Sequence, residues 1–581
     1  MRDVRGQSWT LFVGILLLIL FSSESGLASA SDEVDGRIGV VNIINFIRAV
    51  EPREKVDLVE PVREQIRLIQ GKQLEATWLV QYDALLEERF VSLLKGLDER
   101  QEVGGWFEVV QPLVEDAGYE WRGRFPWDWH CNVGFSIGYR PEQREKLIDV
   151  YMEKFKEVFG EYPEVVGSWF IDAHTLGYLW DKYKIIGSCN CKEQIGTDGY
   201  TVWGGFYNHA YYPSRKNMIC PGQNAENQIP VPVFRMLGND PIWAYESFTG
   251  RGRGIHSLEA VTRAGSSPEW VKWFFEVNFD APCLSFGYTQ AGQENSFGWP
   301  RMKAGFEMQV PFMADEVAAG RVNVWTLGKT ARWFKERYKL TPPSAITALS
   351  DWRGEGLKSV WYCCKNYRTS LLWDKDKFWI RDIQKFDETY PERYLTEVCT
   401  TADCTYDNLP ILDGGWWTAG KTTGKIQAVA LSDGKAEPLS GLEPEVTEQG
   451  GSTLKIRWPL KDGGVLEMLL KEDGIEMVCG RKDWGMEMSW GRDETQMRGV
   501  LAKSISYDQR GHKYQAVLSS GRSTRSIRLR DTQCRKRPTG EKKHHAACHP
   551  LRECLLDIGL CRAGGRLRTV RSGQAHPLGV G

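Results

Sequence analysis

Beyond its first thirty residues the chain has no apolar run long enough to span a bilayer, so its body is expected to be soluble. Cysteine is poorly placed for metal. None of the ten between residues 31 and 520 stands in the paired C-x-x-C spacing of a structural zinc site. No metal or cofactor is therefore expected. From Gly521 to Gly581 there is no Phe, Trp or Tyr, and 14 Lys+Arg stand against 4 Asp+Glu. Such a tail is either a polyanion-binding arm or, as its lack of pattern favours, a disordered or frameshifted end, so no nucleic-acid partner is expected.

What is present begins with an export signal. Arg2 and Arg5 precede an apolar core from Trp9 to Phe21, and Ala28-Ser29-Ala30 reads as a cleavage site. Residues 1–30 are thus expected to be a signal peptide and the protein secreted or periplasmic; an uncleaved anchor is the alternative. Export permits disulfides, and Cys399 with Cys404, flanking a Thr/Asp-rich loop, is the expected local pair. Cys189-x-Cys191 and Cys363-Cys364 are too close for an unstrained bridge.

At 581 residues two or three domains are expected. From Gly39 to about Val324 strand-like runs alternate with helical ones. Val40 to Ile47 and Ala76 to Val80 read as strands. Val59 to Ile69, Leu85 to Leu97 and Pro141 to Phe159 read as helices, the last stopped by Gly160. This alternation argues for an α/β fold with a parallel sheet, most simply a (β/α) barrel over 31–342. After Pro342, runs such as LKSVWYCCKNYR and STLKIRWPL are separated by Gly, Asp and Pro. They suggest an antiparallel β-sandwich over 343–520, followed by the basic tail at 521–581.

The stretch PEVVGSWFIDAHTLGYLWDKYKI reads as strand, carboxylate, helix, next strand, with Asp172 at the strand's C-terminal end. In parallel barrels chemistry is done there. Ala76-Thr77-Trp78-Leu79-Val80 resembles a strand of polysaccharide deacetylases, and Glu102 to Glu108 (EVGGWFE) falls where that superfamily carries its E-x-G motif. Gly167-Ser168-Trp169 leading to Asp172 is similar to the family 57 glycoside hydrolase pattern, although that family has Glu there. Gln293 to Trp299 (QENSFGW) looks like the region of the second catalytic carboxylate. The resemblance, to the superfamily of polysaccharide deacetylases and family 38 and 57 glycoside hydrolases, spans roughly residues 38 to 310. It implies a distorted (β/α)7-type barrel. The first strand departs from it: VVNIINFIRAVEPR carries Asn42 and Asn45 and no Asp-Asp pair such as deacetylases hold, Asn45 and Arg48 stand nearby in place of the His-rich first strand of family 57, and GGWFEVVQP supplies no His pair.

Hydrolysis of a glycosidic bond without metal needs two carboxyl groups, one protonating the leaving oxygen and one attacking or activating water. Asp172 is the expected nucleophile or base and Glu294 the acid; Asp172 capping the next helix and Glu294 in a loop ion pair are the competing readings. Glu108 is a substrate contact or alternative acid, with a buried ion pair to Arg48 as its plain alternative. Glu246 is a fourth carboxylate. His174 would project to the side of Asp172 on an extended chain. Asn45, Arg48 and Gln293 are expected to bind sugar hydroxyls. So are Trp203, Asn208 and His209, in the aromatic loop GTDGYTVWGGFYNHAYYPS. Core packing explains many of the 24 tryptophans equally well. The expected function is an exported, metal-independent glycoside hydrolase acting on a poly- or oligosaccharide. A deacetylase relative with an atypical metal site and a non-catalytic carbohydrate-binding protein are the alternatives.

Overall fold

The computed structural model describes residues 38–191, 204–246, 256–413, 424–433, 435–489, 503–520 and 524–531. The expected signal peptide, Trp203 and residues 532–581 lie outside them. Nine consecutive residues rich in Val and Ile form the first strand, β1 (Gly39–Ile47), which is buried along its length. Such a run suits a strand covered on both faces. It pairs in parallel with β2 (Ala76–Val80) on one side and with β7 (Gly287–Ala291) on the other. Next to β2 lie β3 (Gln101–Trp106) and β4 (Val166–Gly167), also parallel. A parallel bridge from Val165 to Gly187 leads on to β5 (Ser188–Cys191), which pairs with β6 (Val233–Met236). The free side of β6 takes the antiparallel segment Ala210–Tyr211, and among the described residues no ladder joins β6 to β7.

Two-residue alternation sorts the side chains. Val40, Ile44 and Phe46 of β1 join Leu79, Trp106, Cys189, Phe234 and Tyr288 in one buried cluster. Val41, Ile43 and Ile47 face the other way. They share a larger core with Val62 and Ile69 of the helix Val59–Gly71, and with Leu147, Tyr151 and Phe155 of the helix Pro141–Phe159. That second helix ends at Gly160, whose φ of 92° is the left-handed stop its sequence signals. The expected helix Leu85 to Leu97 is split into Tyr82–Leu85 and Glu88–Lys95.

The C-terminal region is two antiparallel sheets. One is built on Ser344–Ala348, Leu357–Cys363, Tyr367–Asp374 and Lys377–Lys385, the other on Glu445–Gln449, Thr453–Pro459, Val465–Lys471 and Gly474–Cys479. Between them Val360, Tyr362, Leu371 and Trp373 meet Leu454, Ile456, Trp458 and Met468, a sandwich-like core. The opposite side of the first sheet turns Ile346, Trp361 and Leu372 into the α/β core. There Trp361 stacks on Tyr207 with ring centroids 3.5 Å apart.

Two expectations are corrected. Thr524–Asp531, assigned to the tail, is a strand between Gly474–Cys479 and His512–Ser520. Ile527 sits in the inter-sheet core while Arg528 is exposed, an alternation hidden by the arginines around it. Cys399 and Cys404 are not bridged. The first thiol turns to the Thr401 carbonyl and the second to the Tyr406 hydroxyl.

Candidate active site

The residues that immediately follow the parallel strands converge. Arg48 follows β1, Gln81 follows β2, Glu108 lies two residues past β3 and Glu294 three past β7. By the same alternation Arg48, Gln81 and Glu108 belong to the side of Phe46, Leu79 and Trp106, and the ion pair to Arg48 brings Glu294 to them. Arg48 Nη2 reaches Glu294 Oε2 at 2.8 Å and Glu108 Oε2 at 3.6 Å. Because both carboxylates meet one nitrogen, those two oxygens are no farther apart than the two distances laid end to end, about 6.4 Å. Arg48, Glu108 and Glu294 are all buried, Glu108 completely.

Neighbours fix the three in place. Asn295 accepts the Arg48 backbone N–H at 3.0 Å and donates to the Arg48 and Leu58 carbonyls, so it ties the end of β1 to the segment after β7. Ser296 Oγ donates to Glu294 Oε1 at 2.6 Å. Trp127 Nε1 donates to Glu108 Oε2 at 2.8 Å, and its ring lies 4.1 Å beneath the Arg48 guanidinium. Below them Phe46 and Trp106 pack at 4.3 Å between centroids, with Trp169 edge-on to Trp106. Burial pushes the Glu108 carboxyl up to about 7; Arg48 pulls it down and Glu294 pushes it up again.

Several polar atoms here have no hydrogen-bond partner although they are buried. They are Glu108 Oε1 and both amide atoms of Gln81. Trp106 Nε1 lies toward the Glu108 carboxyl but outside hydrogen-bonding geometry. Buried polar groups are nearly always paired, and leaving one unpaired costs roughly 1–3 kcal/mol. Donors and acceptors left over side by side suit a ligand whose groups both donate and accept, as hydroxyls do.

Other expected site residues lie elsewhere. Asp172 is the N-cap of the helix Ala173–Tyr178. Its Oδ1 takes Arg144 Nη1 and the Thr175 N–H, both at 3.0 Å, and its Oδ2 takes the Ser136 and Thr175 hydroxyls at 2.6 Å. Fully buried and with both oxygens engaged, it occupies the N-cap position that was the competing reading of this residue. His174 is on that helix rather than on extended chain and pairs with Glu145 at 3.2 Å. Asn45 has the opposite parity to Phe46 and accepts from Gln65 of the helix behind β1. The Gln293 side chain turns to Glu259, 3.3 Å away. Glu246 pairs with Arg381 of the first C-terminal sheet at 2.9 Å. Asn208 bonds to the His209 ring, which lies edge-on to Phe286 beside β6. Glu102 supports the fold from the N-terminal end of β3, where it accepts the Thr77 hydroxyl and the Gly328 N–H.

Sequence reading left Gln81 without a role and counted Trp127 only among the tryptophans near the cleft segments. A lone polar residue directly after the apolar run ATWLV is the signal for the first. The second had only its position among many aromatics. The resemblance to deacetylases raises the question of a metal. Among the described residues no group of three or more His, Cys, Asp or Glu is arranged to hold one. Between the two glutamates the counter-charge is Arg48, so this residue set does not fit a divalent cation.

No protein-family model matches the chain, and no curated protein does. Solved structures that it resembles include a protein classed as a glycoside hydrolase/deacetylase from Parabacteroides distasonis. It is 16% identical with a TM-score of 0.45, over 63% of this chain and 87% of that one. A protein classed as a polysaccharide deacetylase from Mycobacterium smegmatis is 14% identical at 0.32, over 53% and 94%. A GH57 branching enzyme from Thermococcus kodakaraensis is 11% identical at 0.27, over 52% and 71%.

Proposed function

We propose that the chain is a carbohydrate-active hydrolase whose reacting pair is Glu108 and Glu294. The observation that carries the reading is the meeting of two buried carboxyl groups on one guanidinium, at the C-terminal ends of parallel strands and beside unpaired polar atoms. Glu108, raised by its dry surroundings, is the proton donor to the leaving oxygen. Glu294, held by Arg48 and Ser296, is the carboxylate that attacks the anomeric carbon. The limit of about 6.4 Å between their Oε2 atoms keeps the two carboxyl groups close enough to flank one glycosidic bond. Arg48 positions both groups, and Trp127 offers an apolar face beside them. The same reading takes the parallel strands as a barrel closed around the site, residues 1–30 as a cleaved signal peptide and the mature protein as exported.

The test is release of reducing ends from a panel of poly- and oligosaccharides. Glu108→Gln and Glu294→Gln are each expected to lower kcat/KM by at least about a hundredfold while thermal unfolding stays cooperative. Turnover that survives either change would sink the pair. The Arg48 ion pairs themselves favour a second reading, a carbohydrate-binding protein without turnover. Glycan binding with no released product on any substrate, unaltered by Glu108→Gln, would point there. N-terminal sequencing of the protein recovered outside the cytoplasm tests the signal peptide.

A further inference from the structure

Five arginines among the described residues are buried to within 1% of full enclosure. Four of them face a carboxylate: Arg48 meets Glu294, Arg144 meets Asp172, Arg368 meets Asp382 and Arg381 meets Glu246, all within 3.0 Å. The fifth, Arg235, does not. It lies on β6 between Phe234 and Met236, which turn into the interior cluster, while its own side chain points to the opposite side. Its Nε, Nη1 and Nη2 are all buried and none meets hydrogen-bonding geometry, although the guanidinium lies toward the Tyr211 hydroxyl.

Two uncharged polar side chains, Asn190 and Tyr211, lie beside the guanidinium. Asn190 is its register neighbour on β5, and the Asn190 Oδ1 is likewise buried and unpaired. The Asn190 amide nitrogen is 3.5 Å from the Tyr211 hydroxyl, a long and weak contact. Tyr211 donates instead to the Met218 carbonyl at 2.7 Å, and its ring stacks on Phe206. Burial raises the Tyr211 phenol, and the positive charge of Arg235 beside it pulls the other way.

A guanidinium cannot shed its proton to escape burial. An uncompensated buried charge costs several kcal/mol, which is why the other four are paired. We propose that Arg235, with the Asn190 amide beside it, forms a buried binding site for a small inorganic monoanion of the chloride type. The fork of guanidinium N–H groups supplies the donors. The site stands apart from Glu108 and Glu294 and does not depend on their role. Its contribution is to hold β5 and β6 together beneath the segment 204–222.

The experiment prepares the full chain in gluconate buffer and in ~100 mM chloride or bromide. Wild-type protein is expected to unfold at least about 2 °C higher in either halide. Arg235→Met, which removes the charge but keeps most of the volume, is expected to lose that difference. An equal halide response in both proteins, or none in the wild type, overturns the proposal. Should Arg235→Met fail to fold, anomalous scattering from wild-type crystals grown in bromide decides the matter. A bromide peak within hydrogen-bonding reach of the guanidinium supports the site, and its absence overturns it.

Discussion

Glu108 is where the chemistry of a single residue can be read most directly. Its carboxyl stands at about 7 because it is wholly buried, with Arg48 lowering it and Glu294 raising it. The ordinary value is 4.5, so the folded protein keeps a proton that the unfolded chain releases between these limits. Stability contributed by this group is therefore lost as pH rises from about 4.5 to about 7 and is constant above. Glu108→Gln has no such dependence, so relative to wild type it should gain on the order of a few kcal/mol between pH 4 and pH 8, measured by denaturant unfolding at each pH. Activity should fall on the alkaline side as the donor proton is lost. Arg48→Gln should move that alkaline limb upward, because the lowering charge is gone; an unmoved limb would assign it to another group. Arg48 and Glu108 were legible in the sequence because the first directly follows a strand and the second lies two residues past one. Glu294 was legible from its polar neighbours. Asn45 was misplaced because one step along a strand reverses the face, and the sequence marks where β1 lies without saying which face is inside.

At the scale of the element, one sequence pattern has two structural meanings. A strand ending in Asp before a helix describes both a catalytic carboxylate and an N-cap, and Asp172 is the cap. What decides it is remote in sequence: Arg144, from the helix Pro141–Phe159, and the segment 392–397, whose Tyr394 and Glu397 carbonyls bind the same guanidinium. Glu392 completes the knot by accepting the Ala173 and Met218 N–H groups. Burial, and then the Asp172 charge, push its carboxyl up to about 8. Asp172→Asn should preserve the cap yet strand Arg144 beside a neutral amide. A loss of about 3–5 kcal/mol is expected in unfolding experiments. Turnover per folded molecule should stay within about twofold. A nucleophile would not behave so: losing one costs orders of magnitude in kcat whatever the stability. The same variant should lower the Glu392 pKa, since the charge that raises it has gone. The loss of stability between about pH 4.5 and pH 8 should then be smaller than in wild type.

For the whole molecule, the order of the parts was readable but one boundary was not. Alternating strands and helices announce the parallel sheet, and short runs between turn residues announce the antiparallel sheets. Strand Thr524–Asp531 was missed because composition dominated pattern: arginines at 525, 528 and 530 conceal that Ile527 is in the core. The strand is central to its sheet, with Gly474–Cys479 on one side and His512–Ser520 on the other. Ending the chain at residue 520 would leave the hairpin of residues 503–520 with no partner and open the 474–479 edge. A two-stranded hairpin alone is marginal in water, and an exposed edge invites pairing between chains. A chain ending at 532 should therefore unfold several degrees above one ending at 520, and the shorter one should self-associate on gel filtration. Equal melting temperatures and a single monomer-sized peak for both would show that the strand adds nothing. The outcome also bears on the candidate active site, because the sheet that takes this strand packs on the sheet carrying Arg381 and Asp382. Through Trp361 and Tyr207 that first sheet is stacked on the α/β core. Loosening the outer sheet is expected to lower stability first, and turnover only as the first sheet follows it.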